Sequence, residues 1–459
     1  MVIFNWNQKP IGYQTGLSEM CMQNNFLIQQ WLNEWTFKSR NKLRYTHSLH
    51  RYPAMFIPEL AEKIIKMYSN EGDVVLDIFS GSGTTILESI INQRVGLGLE
   101  LNPFAYFISN SKITLYNLDE INSFMSDLDY QSLQNINCES VVFDKIDFWF
   151  HKDTIISISK YLYFINKISN ENSKNFFKLC LSEIIREISF CNHSGFKMHR
   201  DKKKFSKGYN TNEFIDKLQP VLNRNLQLIT AYTKFVCNSN LKDYLDNSKI
   251  YLHDTTNFNP DIGKESVDLI LTSPPYGDSK TTVAYGQFSY LSMQILGIGT
   301  TRNSKISQID NELLGGKTEG IDPYKYTLTS LTLQNIQELF LSRVKLASTP
   351  KESKRELNRL KDIISFYSDL DLALKNAYLY LKKNKYFILV TASRVVHNTK
   401  LHTDQIIAEL GSNYGFKLKN IHYRDIHNKR MPSKVSATNI TGQTAPTMTE
   451  ESIIVLQKI

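Results

Sequence analysis

Four consecutive residues, Ser273-Pro274-Pro275-Tyr276, bring a hydroxyl, proline-stiffened carbonyls and an aromatic ring to one point of the chain. Hydrogen-bond acceptors beside a stacking face suit a planar ring that carries an exocyclic amine. The same residues also make an ordinary strand-ending turn. A second group lies upstream, Ser80-Gly81-Ser82-Gly83-Thr84, preceded by Asp77 and Phe79. Glycines let a backbone approach a ligand closely, and the free N–H groups of a helix start favour a polar or anionic group. A phosphate-cradling loop would end in Gly-Lys-Ser/Thr, and no lysine is present. A dinucleotide fingerprint would need its third glycine where Ile86 stands. Glu100, at the tip of the next apolar run, suits ribose hydroxyls, or is a plain solvated carboxylate. Asp254 could accept from an adenine amino group, or could cap its own turn.

These groups need rigid supports, and the apolar runs supply them. Val267–Leu271 is β-branched and apolar and stops at two prolines, which have no N–H to donate to a sheet. Val74–Phe79, Arg94–Leu99 and Ile250–Thr255 are further short strands, each delivering its polar residues to a sheet edge where open α/β folds bind ligands. Tyr52-Pro53 is an extended step, and a helix opens near Pro58, where a missing N–H costs nothing. Residues 26–35 are helical in pattern, followed by the basic positions Lys38, Arg40, Lys42 and Arg44. An amphipathic helix over 366–382 and a strand over 386–393 restore α/β alternation. The tail holds two strand-like runs, 415–426 and 451–459, that read as an antiparallel pair. Between them lies the basic segment His427–Lys434. After Tyr276 a polar loop, 277–289, is placed to close over a substrate.

Between residues 116 and 247 the period becomes helical and strand signal vanishes. The stretch contains Phe196–Lys207, with Lys197, Arg200, Lys202, Lys203, Lys204 and Lys207 against the single acid Asp201. That is a solvated loop or a set of phosphate contacts. The whole chain has 459 residues and a net charge of +9, which makes a polyanionic partner plausible. Five scattered cysteines without a C-x-x-C pair argue for reduced thiols and against structural zinc, so no metal is expected. With no membrane-length apolar run and no signal-peptide pattern at the start, a cytoplasmic protein is expected. The chain divides into 1–115 with the glycine loop, a helical insertion 116–247, 248–300 with the Pro-Pro site, a basic insertion 301–361, and 362–459.

Together these residues resemble the DNA amino-methyltransferases that use S-adenosylmethionine, of the restriction-modification type. The family's D-x-F-x-G-x-G-T motif matches Asp77, Phe79, Gly81, Gly83 and Thr84, with Ser82 between the glycines. Its [DNS]-P-P-[YFW] signature matches Ser273, Pro274, Pro275 and Tyr276. The segment before its cofactor loop is similar to RYPAMFIPEL, which brings in Tyr52 and Pro53. Glu100 and Asp254 resemble its ribose and adenine carboxylates. The resemblance implies a Rossmann-like methyltransferase fold: a doubly wound α/β sheet with an antiparallel C-terminal strand pair, here with a helical insertion. It implies S-adenosylmethionine as methyl donor, double-stranded DNA as substrate, and a restriction endonuclease acting separately on the same sequence. Serine before Pro-Pro-Tyr goes mostly with N4-cytosine in that family, and aspartate mostly with N6-adenine. The expected activity is therefore N4-cytosine methylation, with N6-adenine as the alternative. The insertion between Glu100 and Asp254 departs from the familiar orders and leaves two candidates, 116–247 and 301–361, for the DNA contact.

Other classes are weighed by single features. A C5-cytosine enzyme would need a nucleophilic cysteine after proline, and no Pro-Cys dipeptide occurs. RNA or protein methyltransferases usually carry Asn in place of Ser273. A non-catalytic binding module would keep the basic insertions and lose the active-site loop. A fused nuclease would need a further D…E-x-K site, and none is convincing.

Overall fold

A computed structural model describes Trp35, Phe37 and residues 44–192, 195–278, 282–299, 308–426, 434–436, 444–446 and 450–459. The helix expected over 26–35 and the basic positions Lys38, Arg40 and Lys42 lie outside the described residues, except Trp35 at the end of that helix. So does most of the His427–Lys434 segment.

Apolar β-branched runs make the strands. They are β1 Val74–Asp77, β2 Val95–Glu100, β3 Lys249–Leu252, β4 Val267–Thr272 and β5 Leu381–Thr391. The short pair β6 Val395–Val396 and β7 Thr399–Lys400 follows, then β8 Phe416–Asp425. Next come β9 Lys434–Ser436, β10 Thr444–Pro446 and β11 Glu450–Lys458. Seven of them form one sheet in the order β3-β2-β1-β4-β5-β11-β8. The first five are parallel, and β11 runs antiparallel to both β5 and β8. The expected C-terminal antiparallel pair is present, with the final strand set inside the sheet and β8 at its edge.

From β1 the chain steps outward through β2 and β3, then returns to lay β4 on the other side of β1, with Val75 opposite Leu269. Strand order reverses there, so the crevice at the carboxyl ends of β1 and β4 is the natural ligand site. Both expected motifs follow directly from those two strand ends.

Helices cover both sheet faces. The labels used below are α1 Pro58–Tyr68, α2 Thr84–Ile91, α3 Pro103–Ile113, α4 Lys152–Ile165 and α5 Glu171–Ile188. They continue with α6 Thr211–Asn238, α7 Tyr285–Leu296, α8 Leu331–Leu346, α9 Pro350–Tyr380 and α10 Thr403–Ser412. Alternate residues of β4 point opposite ways. Leu269 and Leu271 meet Leu60, Ile64 and Ile65 of α1, while Ile270 between them joins the core made with α8, α9 and α10. Val267, beyond a register shift in the β4–β5 pairing, joins that core too. The 116–247 stretch is helical as expected, and it is no satellite. Its core is continuous with Phe104 and Ile108 of α3 and with Leu291 and Ile295 of α7. In the C-terminal region the expected amphipathic helix is longer than its sequence pattern suggested. Helix α9 starts at Pro350 and passes into β5 with no loop, so the 361/362 boundary falls inside a helix.

Candidate active site

Strand β1 ends on Asp77, and the residues expected to extend it, Ile78 and Phe79, form the turn instead. Asp77 Oδ1 accepts from Phe79 N (3.0 Å) and from Thr272 Oγ1 (2.6 Å). That second bond ties the end of β1 to the end of β4, one residue before Ser273. Burial pushes the Asp77 carboxyl up to about 6. The glycine turn follows, with Gly81 and Gly83 both at positive φ (50° and 79°). A Cβ on Gly83 would lie 2.8 Å from Ser109 Cβ of α3. Gly83 is thus demanded by backbone conformation and helix packing, and it does not line the cleft.

Glu100, at the end of β2, closes the turn from the other side. Its Oε2 accepts from Gly81 N and its Oε1 from Asn102 N, both at 2.7 Å. Poor hydration in the cleft raises its carboxyl to about 7. Asn102 caps α3 through Phe104 N (3.0 Å), while its Nδ2 donates to Tyr52 Oη and Ser289 Oγ, both at 3.0 Å. Tyr52 stacks on Tyr285, the first residue of α7, with ring centroids 5.9 Å apart.

One cleft gathers most of the expected residues: Tyr52, Pro53, Asp77, Phe79, Gly81, Ser82, Thr84, Glu100, Asp254, Ser273 and Pro275 all line it. Asp254 sits two residues past the end of β3. Its Oδ1 accepts from Thr256 N (3.0 Å) and Thr256 Oγ1 (2.8 Å), so it faces the cleft and caps its own turn at once. Pro274 is buried. Tyr276 is half-buried, and its hydroxyl donates to Glu451 Oε1 of β11 at 2.9 Å. Glu451 in turn meets the buried Arg424 of β8 (3.3 Å). Just beyond, Arg394 Nη1 pairs with Asp278 Oδ2 at 2.9 Å and fixes the loop's exit. Ser279–Thr281, in the loop expected to close over a substrate, lie outside the described residues.

Several lining residues carried no local signal. Glu312, Leu313, Leu314 and Lys317 form one wall, and Asp369 of α9 stands behind them. Gly315 N donates to Asp369 Oδ2 (2.8 Å), and Ser365 Oγ donates to the Lys317 carbonyl (2.6 Å). This strap belongs to the second insertion. Asn102 and Tyr285 could have been suspected, the first from its capping position before Pro103 and the second from its place after the Pro-Pro loop.

The basic segment splits in two. Lys197, Lys202, Lys203 and Lys207 are exposed. Lys204 is engaged within the chain: its Nζ donates to the carbonyls of Arg186 (3.3 Å), Glu187 (2.9 Å), Ser189 (3.1 Å) and Cys191 (2.9 Å) at the end of α5. Arg200 lies over the rings of Phe205 (3.8 Å) and Phe148 (4.1 Å). Both cations already have partners within the chain, one at a helix carboxyl end and one on aromatic faces. The segment docks on α7 through Met198 N and Gln287 Oε1 (3.1 Å).

Comparison with known proteins agrees with this geometry. A family model described as DNA methylase, of the N6/N4 methyltransferase type, matches residues 6–111. The type II methyltransferase M.MvaI of Kocuria varians is 34% identical over 438 residues, covering 92% of this chain and 93% of that protein. The type II methyltransferase M.BsoBI of Geobacillus stearothermophilus is 25% identical over 295 residues, 58% of this chain and 57% of its own. Among the described residues no helix is long and apolar enough to cross a membrane.

Proposed function

Because the chain belongs to the type II DNA methyltransferases of the N6/N4 amino-methylating family, which draw their methyl group from S-adenosylmethionine, we propose that it methylates the exocyclic N4 amine of cytosine in duplex DNA. Methylation then protects its recognition sequence from a separately acting restriction endonuclease. The observation that carries the choice of base is Ser273, a hydroxyl and not a carboxylate, facing the cleft directly before Pro274-Pro275-Tyr276.

The cleft's donor set fits the cofactor. Glu100 offers carboxylate lone pairs to ribose hydroxyls, Asp254 faces the same space for the adenine amine, and Ser80 Oγ is buried there without a hydrogen-bond partner. Tyr52, Pro53 and Phe79 supply flat apolar surface. When bound, S-adenosylmethionine provides an electrophilic methyl group on a sulfonium.

This chain's residues prepare the nucleophile. A ring amine is weakly nucleophilic because its lone pair is delocalised. Ser273 Oγ and the Pro274 carbonyl accept from its two N–H groups, which favours a pyramidal nitrogen with a localised pair. Catalysis is then mostly positioning and electrostatics. The base leaves the duplex to reach them, and Tyr276 is its stacking face. Glu451, held by Arg424, fixes that ring through its hydroxyl. Lys197, Lys202 and Lys203 contact DNA phosphates from the helical insertion.

Nucleoside mass spectrometry of DNA treated with the enzyme tests the assignment, with N4-methylcytosine expected. N6-methyladenine alone would overturn the choice of base and leave the amine chemistry standing. Ser273→Ala should slow single-turnover transfer by roughly 10²–10³-fold, the effect of losing one placed hydrogen-bonding group.

A further inference from the structure

Helix α9 carries a stripe of cations outside the cofactor cleft. Lys351, Lys354, Arg355, Arg359 and Lys361 line one groove with Thr318, and Asp362 is the sole carboxylate in its wall. They recur at helical spacing, while Glu356, Leu360, Ile363 and Ile364 of the same helix are buried. Asp362 pairs with Arg359 (3.1 Å), and Glu356 meets both Arg355 Nη2 (3.7 Å) and His397 Nδ1 (2.7 Å). No carboxylate pairs with Lys351, Lys354 or Lys361 among the described residues. Arg355 Nε is buried with no hydrogen-bond partner. Clustering of like charges costs energy unless something anionic lies among them.

The groove has a definite relation to the cleft. Thr318 lines the groove and its neighbour Lys317 lines the cleft. The same strap is pinned to α9 at Ser365 and Asp369. Gly315 passes so closely between Phe366 and Asp278 that an added Cβ would come 2.9 Å from one and 3.2 Å from the other. Helix rise puts Lys351 about 15 Å from Lys361, and Lys361 about 12 Å from Asp369. One strand of B-DNA presents about four phosphates over 15 Å of axis.

We propose that this groove holds the sugar–phosphate backbone of the DNA flanking the target base. The placement rests on the DNA-methylating function proposed above and adds where the duplex runs. Helix α9 grips the flank, and the strap carries that register to the loop holding Ser273. The contact is to phosphates, so it adds affinity at every sequence and reads none.

The test uses the full chain with Lys351 and Lys354 both changed to Ala. Both are exposed, and neither belongs to the cofactor or target-base site. Binding is measured against salt on a plasmid fragment that the wild-type enzyme methylates, and on versions trimmed towards the methylated base. Calorimetry with S-adenosylmethionine reports folding and cofactor binding. The expected result is a salt slope lower by up to about 1.8, affinity for the long fragment weaker by about tenfold, and unchanged cofactor binding. Trimming the flank should weaken the wild type and leave the variant little changed. An unchanged slope with full-strength binding would overturn the groove while wild-type methylation of the fragment upheld the function. Wild-type protein that bound S-adenosylmethionine yet methylated no DNA would overturn both.

Discussion

In the cofactor site proposed above, Glu100 would tie cofactor binding to pH. Its folded value, about 7, lies well above an ordinary glutamate because the cleft hydrates it poorly. In the unliganded protein such a group favours the folded state fully below about 4.3, and that advantage is lost as pH rises through 7. In the proposed placement ribose hydroxyls would donate to the ionised form, so cofactor binding would have the opposite sign and tighten as pH rises. S-adenosylmethionine affinity should fall about fivefold between pH 7 and pH 6, as protonation competes with the hydroxyls. Glu100→Gln should bind more weakly at pH 8 and show a flatter profile, with Asp77 at about 6 supplying the remainder. A wild-type profile flat from pH 5.5 to 7.5, followed by calorimetry, would count against this role. Asp77, Glu100 and Ser273 were legible because each ends or follows an apolar strand, which dictates where its side chain emerges. Asn102 and Tyr285 left only a positional hint, because their shared role is a tertiary meeting of distant segments through Tyr52.

At the scale of elements, a lysine run that looks uniform in sequence divides into two tasks. Lys204 Nζ closes the end of α5, where backbone carbonyls have no partners within the helix. Removing it strands several of them at a partly buried point. Lys204→Ala should therefore destabilise the protein by about 2–4 kcal/mol, visible as a lower melting temperature, with little change in the DNA salt slope. Lys202→Ala with Lys203→Ala should do the reverse, since both side chains are exposed. Equal losses of stability in the two variants would erase the distinction. Charge alone could not separate these lysines, because the separation comes from the chain folding back onto α5. Helix α9 teaches a related lesson. Its buried positions Leu360, Ile363, Tyr367, Leu370 and Leu374 keep one helical stripe, but the cations on its outer face made the first turns resemble a polar insertion. Gly83 was readable as a ligand-approach glycine, yet its closest neighbour is Ser109 of α3. Only the packing of two helices reveals that.

Across the whole molecule, a net charge of +9 matters less than where the cations lie. The antiparallel tail was readable from two apolar runs, but the insertion of β11 between β5 and β8 was not, since strand order is a non-local choice. The two exposed basic surfaces come from separate insertions, yet both are tied to the first turn of α7. The Phe196–Lys207 segment docks on Gln287 through its side chain. The second insertion reaches the same turn through Asp310, whose carboxylate accepts from Gly286 N (2.8 Å) and Gln287 N (3.2 Å). Tyr285, in the cleft, begins that turn. A duplex delivering a base to Ser273 would then be gripped on two sides of one fixed centre. Phosphate contacts at separate surfaces should be independent, so their effects on log affinity should add. Lys202→Ala with Lys203→Ala, and Lys351→Ala with Lys354→Ala, should each lower the salt slope by up to about 1.8, and the fourfold variant by up to about 3.6. If the fourfold variant matched either pair alone, the two surfaces would be meeting the same phosphates in alternative complexes, and simultaneous gripping would be wrong. Additive slopes with a wild-type product pattern would mean that both insertions hold the DNA while neither selects the base, which leaves selection to the cleft between them.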